Sequence, residues 1–353
     1  MKVLQVIGKS SGGISVYTRL LCELLRQQGA DVTVVQPDSD PDIPDVPTIN
    51  LPIALSGLKP KPGHATLHEL RELAKGADVM HAQGLQAAVV CALALRRLPA
   101  AARPRFIVTL HNQIPASEPQ HAEGALLLHI ACKQADLVFG VSTDLVEAAR
   151  RHGAKNVQYL FVAAEKAPSS PKTREEIRKE LGLGTELCLV TIARLAPQKR
   201  LPLLIETAKQ MTFSDYRWLI VGEGPLLGEL QQQAHSTPIR FLGARDDVGD
   251  LLKAADIVVC ASLWEGQSIA LQEALRAGVP IVTTGAGAIP DVVGSAAVIA
   301  PPDAGKIAEA LDTLGADAAL RTAMRRAALE RAAQLPTPEQ MLAQMLEAYT
   351  IER

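Results

Sequence analysis

Residues 256–275 read DIVVCASLWEGQSIALQEAL, which runs from an apolar strand through a short polar loop into a helix. The apolar run 257–261 is typical of a buried strand, and the loop carries one carboxylate, Glu265, directly after it. A second carboxylate, Glu273, falls inside the helix that follows. Strand, loop and helix in this order form the repeating unit of a parallel α/β sheet, so this stretch indicates the fold class.

The same alternation of strand-like and helix-like segments runs through most of the chain. A helical pattern at 14–28, for example, ends at Gly29, a residue suited to stopping a helix. Strands that alternate with helices indicate parallel sheets covered by helices on both faces. Strands are expected at 2–7, 31–36, 48–53, 78–83, 105–110, 137–142 and 157–162, and again at 187–193, 217–222, 239–242, 256–261 and 279–284.

The alternation is interrupted at residues 166–173, KAPSSPKT, where two prolines and two serines show no periodicity. This composition is typical of a linker, and Thr173 with Glu176 resembles a capping box that opens the next helix. At 353 residues the chain is also long for one hydrophobic core. The sequence therefore predicts an α/β protein with two doubly wound, Rossmann-like domains, 1–166 and 167–335, that face each other across a cleft.

The composition argues against several classes of protein. A net charge of −2 without a dense basic run gives no reason to expect a nucleic-acid partner, and 3% aromatic residues offer few stacking platforms. Five cysteines without Cys-x-x-Cys spacing favour buried thiols in a reducing compartment over a disulfide framework.

The opening apolar run is too short for a signal peptide. The longest apolar run, 85–95, is too short to cross a bilayer, which takes roughly 20 helical residues. A cytoplasmic, soluble protein is expected. A peripheral contact with anionic membrane is a further expectation, because four arginines flank the apolar helix: Arg96, Arg97, Arg103 and Arg105.

Doubly wound sheets bind ligands at the carboxyl ends of their strands, and the loop after the first strand is rich in glycine. In GKSSGGIS (8–15), Gly12 and Gly13 precede a helix whose backbone N–H groups can bind a phosphate. The loop matches neither the Walker pattern nor Gly-x-Gly-x-x-Gly. A tight turn with a serine cap would give the same pattern, so both interpretations stay open.

A cationic segment, RLAPQKR (194–200), follows the strand at 187–193. The guanidinium of Arg194 can bind two phosphate oxygens and the ammonium of Lys199 can act as a point charge, which together suit a diphosphate. Arg200 is expected to be a bystander. A solvated surface loop is the alternative interpretation of the segment.

Two more strand ends carry glycine loops. In VGEGP (221–225), Gly222 permits close approach of the backbone to a ligand or to the neighbouring domain. In GARDDV (243–248), the segment from Arg245 to Val248 is a candidate for presenting backbone groups to a nucleobase. A plain turn with an acidic helix start would look the same.

The opening stretch is the strongest candidate site. Residues 266–268 begin a helix whose free N–H groups and dipole suit negative charge. A carboxylate accepts hydrogen bonds from adjacent hydroxyls, so Glu273 suits a ribose diol and Glu265 the hydroxyls of a sugar. The two carboxylates and the anion site between them fit the ribose, the sugar and the diphosphate of a nucleoside diphosphate sugar. Solvated glutamates on an ordinary helix would explain Glu273 poorly, because its neighbours are apolar: Ile269, Leu271, Ala274 and Leu275.

Taken in order, these motifs resemble those of the GT-B glycosyltransferases, in particular the retaining enzymes of glycosyltransferase family four. The resemblance extends over most of the chain and implies that the terminal helix, 336–353, crosses back onto the first domain. The motifs that carry it are GG at 12–13, ARL at 193–195 with Lys199, VGEGP at 221–225, FLG at 241–243, Glu265 with Glu273, and Asp291 after GAIP.

The resemblance implies a hexosyltransferase that moves a sugar from a nucleoside diphosphate, expected to be UDP, to a hydroxyl of a saccharide, glycan or lipid-linked acceptor with retention of configuration. Arg194 and Lys199 would neutralise the diphosphate, Glu273 would hold the ribose, and Glu265 and His111 would lie near the donor sugar. The backbone after the first glutamate would contact phosphate and sugar at Gly266, Gln267, Ser268 and Ile269.

The chain departs from the family pattern at two motifs. The family often has Glu-Gly-Phe-Gly and Lys-Gly, where this chain has Glu265-Gly-Gln-Ser and Lys199-Arg200. Gln267 and Ser268 are therefore expected to alter the contacts with the donor sugar, whose identity is left open. No cofactor and no metal are expected, because the cation pair supplies the positive charge. The Asp-x-Asp spacing at 38–42 is expected to be a solvated acidic loop.

Two alternative functions share these features: a sugar-nucleotide epimerase and a non-catalytic nucleotide-sugar binding protein. An NAD dehydrogenase would need Gly-x-Gly-x-x-Gly after the first strand and an acidic residue closing the second strand, which this chain lacks. The acceptor is expected on loops 37–47, 54–63 and 112–123 of the first domain, with Lys59, Lys61 and His64 as candidates for an anionic one.

Overall fold

The structure is a computed structural model that describes residues 1–8, 13–38, 43–53, 63–113 and 120–350. The chain forms two compact units. The first comprises Met1–Ala163 and Pro336–Arg353, and the second comprises Ala164–Leu335. The sequence placed the boundaries at 166/167 and 335/336, so the first boundary falls slightly earlier than expected.

The linker begins earlier because the second unit binds it from its first residue. The backbone N–H of Ala164 donates to Gln272 Oε1 at 3.0 Å, and that of Ser170 donates to Asp250 Oδ1 at 2.7 Å. A Cβ on Gly249 would lie 2.0 Å from the carbonyl oxygen of Pro168, so only a glycine lets the linker pack this closely.

Among its described residues, the first unit contains a seven-stranded parallel sheet with the order β3-β2-β1-β4-β5-β6-β7. The strands are β1 (Lys2–Ile7), β2 (Asp31–Gln36), β3 (Thr48–Asn50), β4 (Val79–Gln83), β5 (Arg105–Leu110), β6 (Leu137–Gly140) and β7 (Val157–Tyr159). The helices are α1 (Gly13–Gln27), α2 (His64–Lys75), α3 (Leu85–Leu95), α4 (Gln120–Gln134), α5 (Thr143–Arg151) and, from the end of the chain, α14 (Pro338–Thr350).

The second unit contains a six-stranded parallel sheet with the order β10-β9-β8-β11-β12-β13. Its strands are β8 (Leu187–Ile192), β9 (Tyr216–Val221), β10 (Ile239–Gly243), β11 (Ile257–Cys260), β12 (Ile281–Thr284) and β13 (Ala297–Ala300). Its helices are α6 (Arg174–Glu180), α7 (Leu201–Gln210), α8 (Leu227–Gln233), α9 (Val248–Ala254), α10 (Ile269–Arg276), α11 (Ile289–Val293), α12 (Ala304–Ala316) and α13 (Ala318–Gln334).

The predicted strands all form, with ends that shift by up to a few residues, and the predicted capping box of Thr173 and Glu176 is present at the start of α6. The sequence missed β13, whose four residues pair only with β12. A four-residue edge strand is too short to show a periodicity, and it forms because the neighbouring strand offers its backbone groups.

Both sheets change their direction of winding at one pair of neighbouring strands. In the first unit this pair is β1 and β4, and in the second unit it is β8 and β11. At such a pair the following loops depart in opposite directions and leave a crevice at the carboxyl ends of the strands. The topology of the second unit therefore brings the loops that carry Lys199 and Glu265 side by side.

The terminal helix α14 belongs to the first unit. Gln344 Nε2 donates to the carbonyl of Tyr159 at 2.8 Å, and Arg105 Nε donates to the carbonyl of Ala348 at 2.6 Å. Arg103 Nε likewise donates to the carbonyl of Leu98 at 2.9 Å. Two of the four arginines expected at a membrane therefore hold backbone carbonyls, which leaves Arg96 and Arg97 as the exposed pair.

All five cysteines are free thiols, as the sequence predicted: Cys22, Cys91, Cys132 and Cys188 are buried and Cys260 is half-buried. Within the described part of the chain, no helix has the length and apolar character needed to cross a membrane.

Candidate active site

The carboxyl ends of β8 and β11 hold a compact cluster of polar side chains. After β8, a short 3-10 turn, Pro197–Lys199, ends at Lys199. After β11, Glu265 turns back toward it, and Lys199 Nζ forms an ion pair with Glu265 Oε1. Ser262 Oγ donates to the same carboxylate oxygen at 2.5 Å. Glu265 is only 8% exposed. Its carboxylate is paired with one cation and accepts a hydrogen bond from one hydroxyl.

Hydrogen bonds to backbone carbonyls also hold these two loops to each other and to the end of β12. The carbonyl of Gln198 accepts from the N–H of Leu263 at 2.8 Å, and Gln198 Nε2 donates to the carbonyl of Trp264 at 3.1 Å. Thr284 Oγ1, at the end of β12, donates to the carbonyl of Ser262 at 3.2 Å. The position of Glu265 is therefore set by three neighbouring strand ends.

Gly287, in the loop after β12, packs directly against the backbone of Glu265. Its φ of +65° lies in the left-handed region, and a Cβ there would lie 2.0 Å from the carbonyl oxygen of Glu265. The next residue, Ala288, donates its backbone N–H to that same carbonyl at 2.9 Å. A glycine is therefore required at 287 for the loop to pass this close to Glu265.

Helix α10 begins directly after this cluster. Ser268 is its N-cap, with Oγ accepting from the N–H of Leu271 at 3.5 Å, and Ile269 is its first residue. Gly266 and Gln267 form the connection from Glu265, with Gln267 buried and Gly266 half-buried. The sequence had placed the helix start slightly earlier, at 266–268.

Glu273 lies on the second turn of α10, at the predicted distance from the N-cap. Its carboxyl is half-buried, and no side chain among the described residues forms a hydrogen bond or ion pair with it. Burial without a partner disfavours the charged form and raises the pKa of Glu273 to about 7. The two glutamates thus differ: Glu265 is paired within the protein, whereas Glu273 has acceptor capacity left for a ligand.

A pocket in the second unit opens beside the ion pair. Polar side chains of three segments line it: Thr191, Lys199, Ser262, Glu265 and Ser268. Arg194 lies just beyond the end of β8 with an exposed side chain. The sequence assigned roles to Lys199, Glu265 and Ser268, and the structure brings these three together.

Gly222 follows β9, and the position of its missing side chain is occupied by the neighbouring loop. A Cβ on Gly222, whose φ is +134°, would lie 2.1 Å from the carbonyl oxygen of Ala193. The close approach that this glycine permits is therefore to the loop after β8, which carries Arg194. Its effect on a ligand would be indirect, through the placement of that loop.

Arg245 lies in the loop between β10 and α9, where its guanidinium binds Asp247. The Nε and Nη2 groups of Arg245 donate to the two carboxylate oxygens of Asp247 at 2.8 and 2.5 Å. This pair raises the pKa of Arg245 and lowers that of Asp247, in each case chiefly through the hydrogen bonds. Val248 is the first residue of α9 and is half-buried.

In the first unit, His111 follows β5 and is 8% exposed. Its Nε2 lies 2.9 Å from Gln83 Oε1, and its ring packs against Tyr17 with the centroids 5.3 Å apart. Burial lowers the pKa of His111 to about 3, so the imidazole is neutral at physiological pH. Gly13 is the first residue of α1, and Gly12 lies outside the described residues.

Three residues in these clusters were not assigned a role from the sequence: Ser262, Gln198 and Gln83. Each is a polar side chain at or near the end of an apolar strand, which is the signal that would have found them. For the acceptor candidates, His64 is exposed at the start of α2, whereas Lys59 and Lys61 lie outside the described residues.

The Asp-x-Asp segment at 38–42 is described only at Asp38. Within the described ranges, no group of three or more His, Cys, Asp or Glu side chains is arranged to hold a metal ion.

Two family models match the chain, one in each half. Residues 12–164 match a glycosyl transferase 4-like domain, and residues 173–331 match the glycosyl transferases group 1.

Relatives of known name and structure agree with these matches. The chain is 27% identical over 256 residues to the N-acetyl-alpha-D-glucosaminyl L-malate synthase of Bacillus anthracis, covering 69% of this chain and 65% of that protein. It is 30% identical over 212 residues to the putative teichuronic acid biosynthesis glycosyltransferase TuaC of Bacillus subtilis, covering 58% of this chain and 54% of that protein. The matches therefore span less than two thirds of either relative.

Among solved structures, Anabaena HepE in complex with UDP and glucose superposes with a TM-score of 0.87 at 20% identity, over the full length of both chains. The fold is therefore the GT-B fold.

Proposed function

We propose that this chain, which belongs to the GT-B glycosyltransferases of family four, is a hexosyltransferase whose donor is a nucleoside diphosphate sugar linked to UDP. The observation that carries the proposal is the cluster of Lys199, Glu265 and Ser262 at the carboxyl ends of β8 and β11. The choice of UDP is supported by HepE, whose structure contains UDP and glucose.

The second unit offers separate groups for each part of such a donor. Lys199 and the exposed Arg194 at the end of β8 supply two positive charges for the diphosphate, and the N-terminus of α10 adds the positive end of its dipole. As the bond between sugar and phosphate breaks, negative charge develops on the leaving diphosphate. Fixed cations stabilise that charge, which is often the largest single contribution to catalysis.

Glu273 is proposed to hold the ribose. Its carboxyl has no partner among the described residues, and a ribose diol supplies two O–H donors to one carboxylate. These donors favour the ionised form, so a bound nucleoside would lower the raised pKa of Glu273 and release a proton near neutral pH.

Glu265 is proposed to orient the sugar rather than to attack it. One of its oxygens already accepts from Lys199 and Ser262, which leaves the other available to accept a hydrogen bond from a sugar hydroxyl. Gln267 and Ser268, where the family often has Phe and Gly, would add amide and hydroxyl contacts to the same sugar.

The reaction is proposed to retain the configuration of the sugar. The acceptor oxygen bonds to the anomeric carbon on the side from which the phosphate leaves, the carbon–oxygen bond to phosphate breaks, and the acceptor's proton passes to a phosphate oxygen. No covalent intermediate on a carboxylate is needed, in contrast to retaining glycoside hydrolysis.

The acceptor is proposed to be a hydroxyl of a saccharide, glycan or lipid-linked molecule. The named relatives use different acceptors: one is an L-malate synthase, and the other is assigned to teichuronic acid biosynthesis. His111 is proposed as a catalytic group of the first unit, whose neutral imidazole accepts a hydrogen bond from a substrate hydroxyl.

The proposal is tested by incubating the protein with UDP-glucose, UDP-galactose, UDP-N-acetylglucosamine and GDP-mannose, each with and without a mixture of saccharide acceptors. Release of the nucleoside diphosphate with transfer of the sugar is expected for one UDP-linked donor, and the anomeric proton coupling of the product reports retention. An epimerised sugar together with free UDP in the absence of acceptor would instead identify an epimerase. Tight donor binding with no turnover under any condition would identify a binding protein.

A further inference from the structure

A chain of buried polar side chains crosses the first unit from the terminal helix to His111. Its members lie on the three central strands β1, β4 and β5, directly after β5, and on α14, and each is at most 8% exposed. Polar groups at such depth are retained only when they are hydrogen-bonded, so their geometry is informative. The members are Gln5, His81, Gln83, Thr109, His111 and Tyr349.

Strand pairing places the members in register. Gln5 of β1 is the partner of His81 of β4, and Gln83 of β4 is the partner of Thr109 of β5. The hydroxyl of Tyr349 reaches this row from α14. It accepts from Gln5 Nε2 at 3.0 Å and lies 2.7 Å from His81 Nδ1.

The directions of these bonds follow from the number of protons available. The Tyr349 oxygen accepts from Gln5, so its single proton goes to the other neighbour, His81 Nδ1. Burial lowers the pKa of His81 to about 3, so its ring is neutral and carries its proton on Nε2, which donates to Thr109 Oγ1 at 2.7 Å.

The hydrogen bonds run in the same direction toward His111. Gln5 uses its N–H group on Tyr349, so its Oε1 accepts from Gln83 Nε2 at 3.0 Å. Gln83 then presents Oε1 to His111 Nε2 at 2.9 Å, and this nitrogen must be the protonated one. The two amides are coupled by their hydrogen bond, and the orientation of Gln83 decides where the proton of His111 lies.

We propose that Tyr349 and Gln83 are positioning residues that hold His111 as its Nε2–H tautomer and leave Nδ1 as a hydrogen-bond acceptor. Within the described residues, Nδ1 of His111 makes no hydrogen bond. The ring of Tyr17 packs against His111 and restricts its rotation. The role of Nδ1 toward a substrate hydroxyl rests on the proposed function, whereas the tautomer itself does not.

A second arrangement has the same interatomic distances. In it the Gln5 and Gln83 amides are both flipped, and each hydrogen bond runs in the opposite direction. His111 and His81 would then both carry their proton on Nδ1. The two histidines therefore share one tautomer in either case, and the two cases differ in a measurable way. In the structure Gln5 turns its amide nitrogen toward Tyr349, which is the Nε2–H case, and the tautomer measurement decides between the two cases.

The tautomers are read from two-bond ¹⁵N–¹H correlation spectra of protein labelled at histidine, with the His111 and His81 signals assigned by their loss in His111→Asn and His81→Asn. The expected result is Nε2–H for both rings and no protonation of either between pH 5 and 8. Signals of the Nδ1–H form, or protonation of His111 near pH 6, would overturn the proposal.

The variant Tyr349→Phe keeps the ring in place and removes only the hydroxyl. The Gln5 and Gln83 amides are then free to flip, so the His111 signals should move to the average of two tautomers. The value of kcat should fall about tenfold, with KM for the donor changed less than twofold, as expected for the loss of one hydrogen bond. Gln83→Met breaks the link next to His111 without altering α14, and should give the same changes if Tyr349→Phe does not fold.

The matched control is Tyr216→Phe, which removes a tyrosine hydroxyl that donates to the carbonyl of Ala208 at 3.1 Å in the second unit. It should leave the His111 signals and kcat unchanged. A fall of kcat in Tyr349→Phe with unchanged His111 signals would show a merely structural role and overturn the proposal. The expected tautomer in a protein that transfers no sugar would uphold this chain of bonds and refute the proposed function instead.

Discussion

The two units place polar side chains at the same point of their sheets but use different chemistry. In the second unit, Lys199 and Glu265 form an ion pair with each other. In the first unit, His81 and His111 lie beside uncharged amides and hydroxyls, and burial keeps both rings neutral. Burying an unpaired charge costs far more free energy than burying a hydrogen-bonded neutral group, so the available partners decide which kind of site each sheet can carry.

One buried group in each unit responds to acid in the opposite sense to the other. Burial lowers the pKa of His81 to about 3, so the stability it contributes is present above pH 6.5 and lost as the pH falls toward 3. Burial raises the pKa of Glu273 from 4.5 to about 7, so its contribution is present below pH 4.5 and lost as the pH rises through 7.

The largest expected effect is on the charged cluster. Lys199→Ala removes a cation from the diphosphate and leaves the buried Glu265 without its partner, so turnover should fall at least 100-fold, about 2.7 kcal/mol. Steady-state kinetics measures this, and circular dichroism verifies the fold. Arg194→Ala should act in the same direction.

The matched control for Lys199→Ala is Lys209→Ala on α7, where the lysine forms an exposed ion pair with Glu206. Exposed pairs contribute little, so turnover and stability should stay near those of the unaltered protein. Equal turnover in Lys199→Ala and Lys209→Ala would remove the charged cluster from the reaction.

The next effect separates the two carboxylates of the second unit. Glu273→Ala removes the acceptor for the ribose diol and should weaken binding of UDP by about 10- to 100-fold, a loss of roughly 1–3 kcal/mol. Glu265→Gln frees Lys199 from its ion pair, so UDP should bind no more weakly while turnover of the sugar donor falls. Calorimetric titration with UDP compares the variants, and equal weakening in both would contradict this division of roles.

A smaller effect tests how the charged cluster is held. Gly287→Ala combines a φ of +65° with a Cβ 2.0 Å from the Glu265 carbonyl, and should lower the free energy of unfolding by at least about 2 kcal/mol. Gly29→Ala has a similar φ of +77° but open space around the Cβ, and should cost only about 1 kcal/mol. Denaturant unfolding measures both; a Gly287→Ala cost no greater than that of Gly29→Ala would show that the loop can retreat.

The pH dependence of nucleoside binding gives a smaller effect. Uridine has no phosphate to titrate, so its binding should weaken about tenfold from pH 8 to pH 6 as Glu273 becomes protonated. The dependence should disappear in Glu273→Gln, and His111, with a pKa of about 3, should contribute nothing over this range. A pH dependence that persists in Glu273→Gln would assign it to another group.

No effect at all is expected from chelation. Lys199 and Arg194 are proposed to supply the positive charge that a metal would otherwise provide, so turnover should be unchanged in excess EDTA. Loss of turnover that Mg²⁺ restores would assign the charge to a metal and bring the acidic segment at 38–42 back into consideration.

Several features of this protein were already decided by short-range patterns in its sequence. Apolar runs alternating with helical stretches predicted the parallel sheets, and the polar loop 266–268 predicted the start of α10 to within a few residues. The capping box of Thr173 and Glu176 could also be predicted from the sequence, because its two residues are three positions apart and bind each other's backbone. Such features depend on neighbours within one or two turns, so local chemistry determines them.

Long-range contacts were decided only by the tertiary structure. Lys199 and Glu265 are 66 residues apart, and Gln5 and Tyr349 are 344 apart, so no local pattern links either pair. Strand order brings the first pair together at the ends of β8 and β11, and the docking of α14 brings Tyr349 onto β1 and β4. The raised pKa of Glu273 and the neutral state of His111 depend on burial, a property of the packed chain, because desolvation exists only once neighbouring segments exclude water.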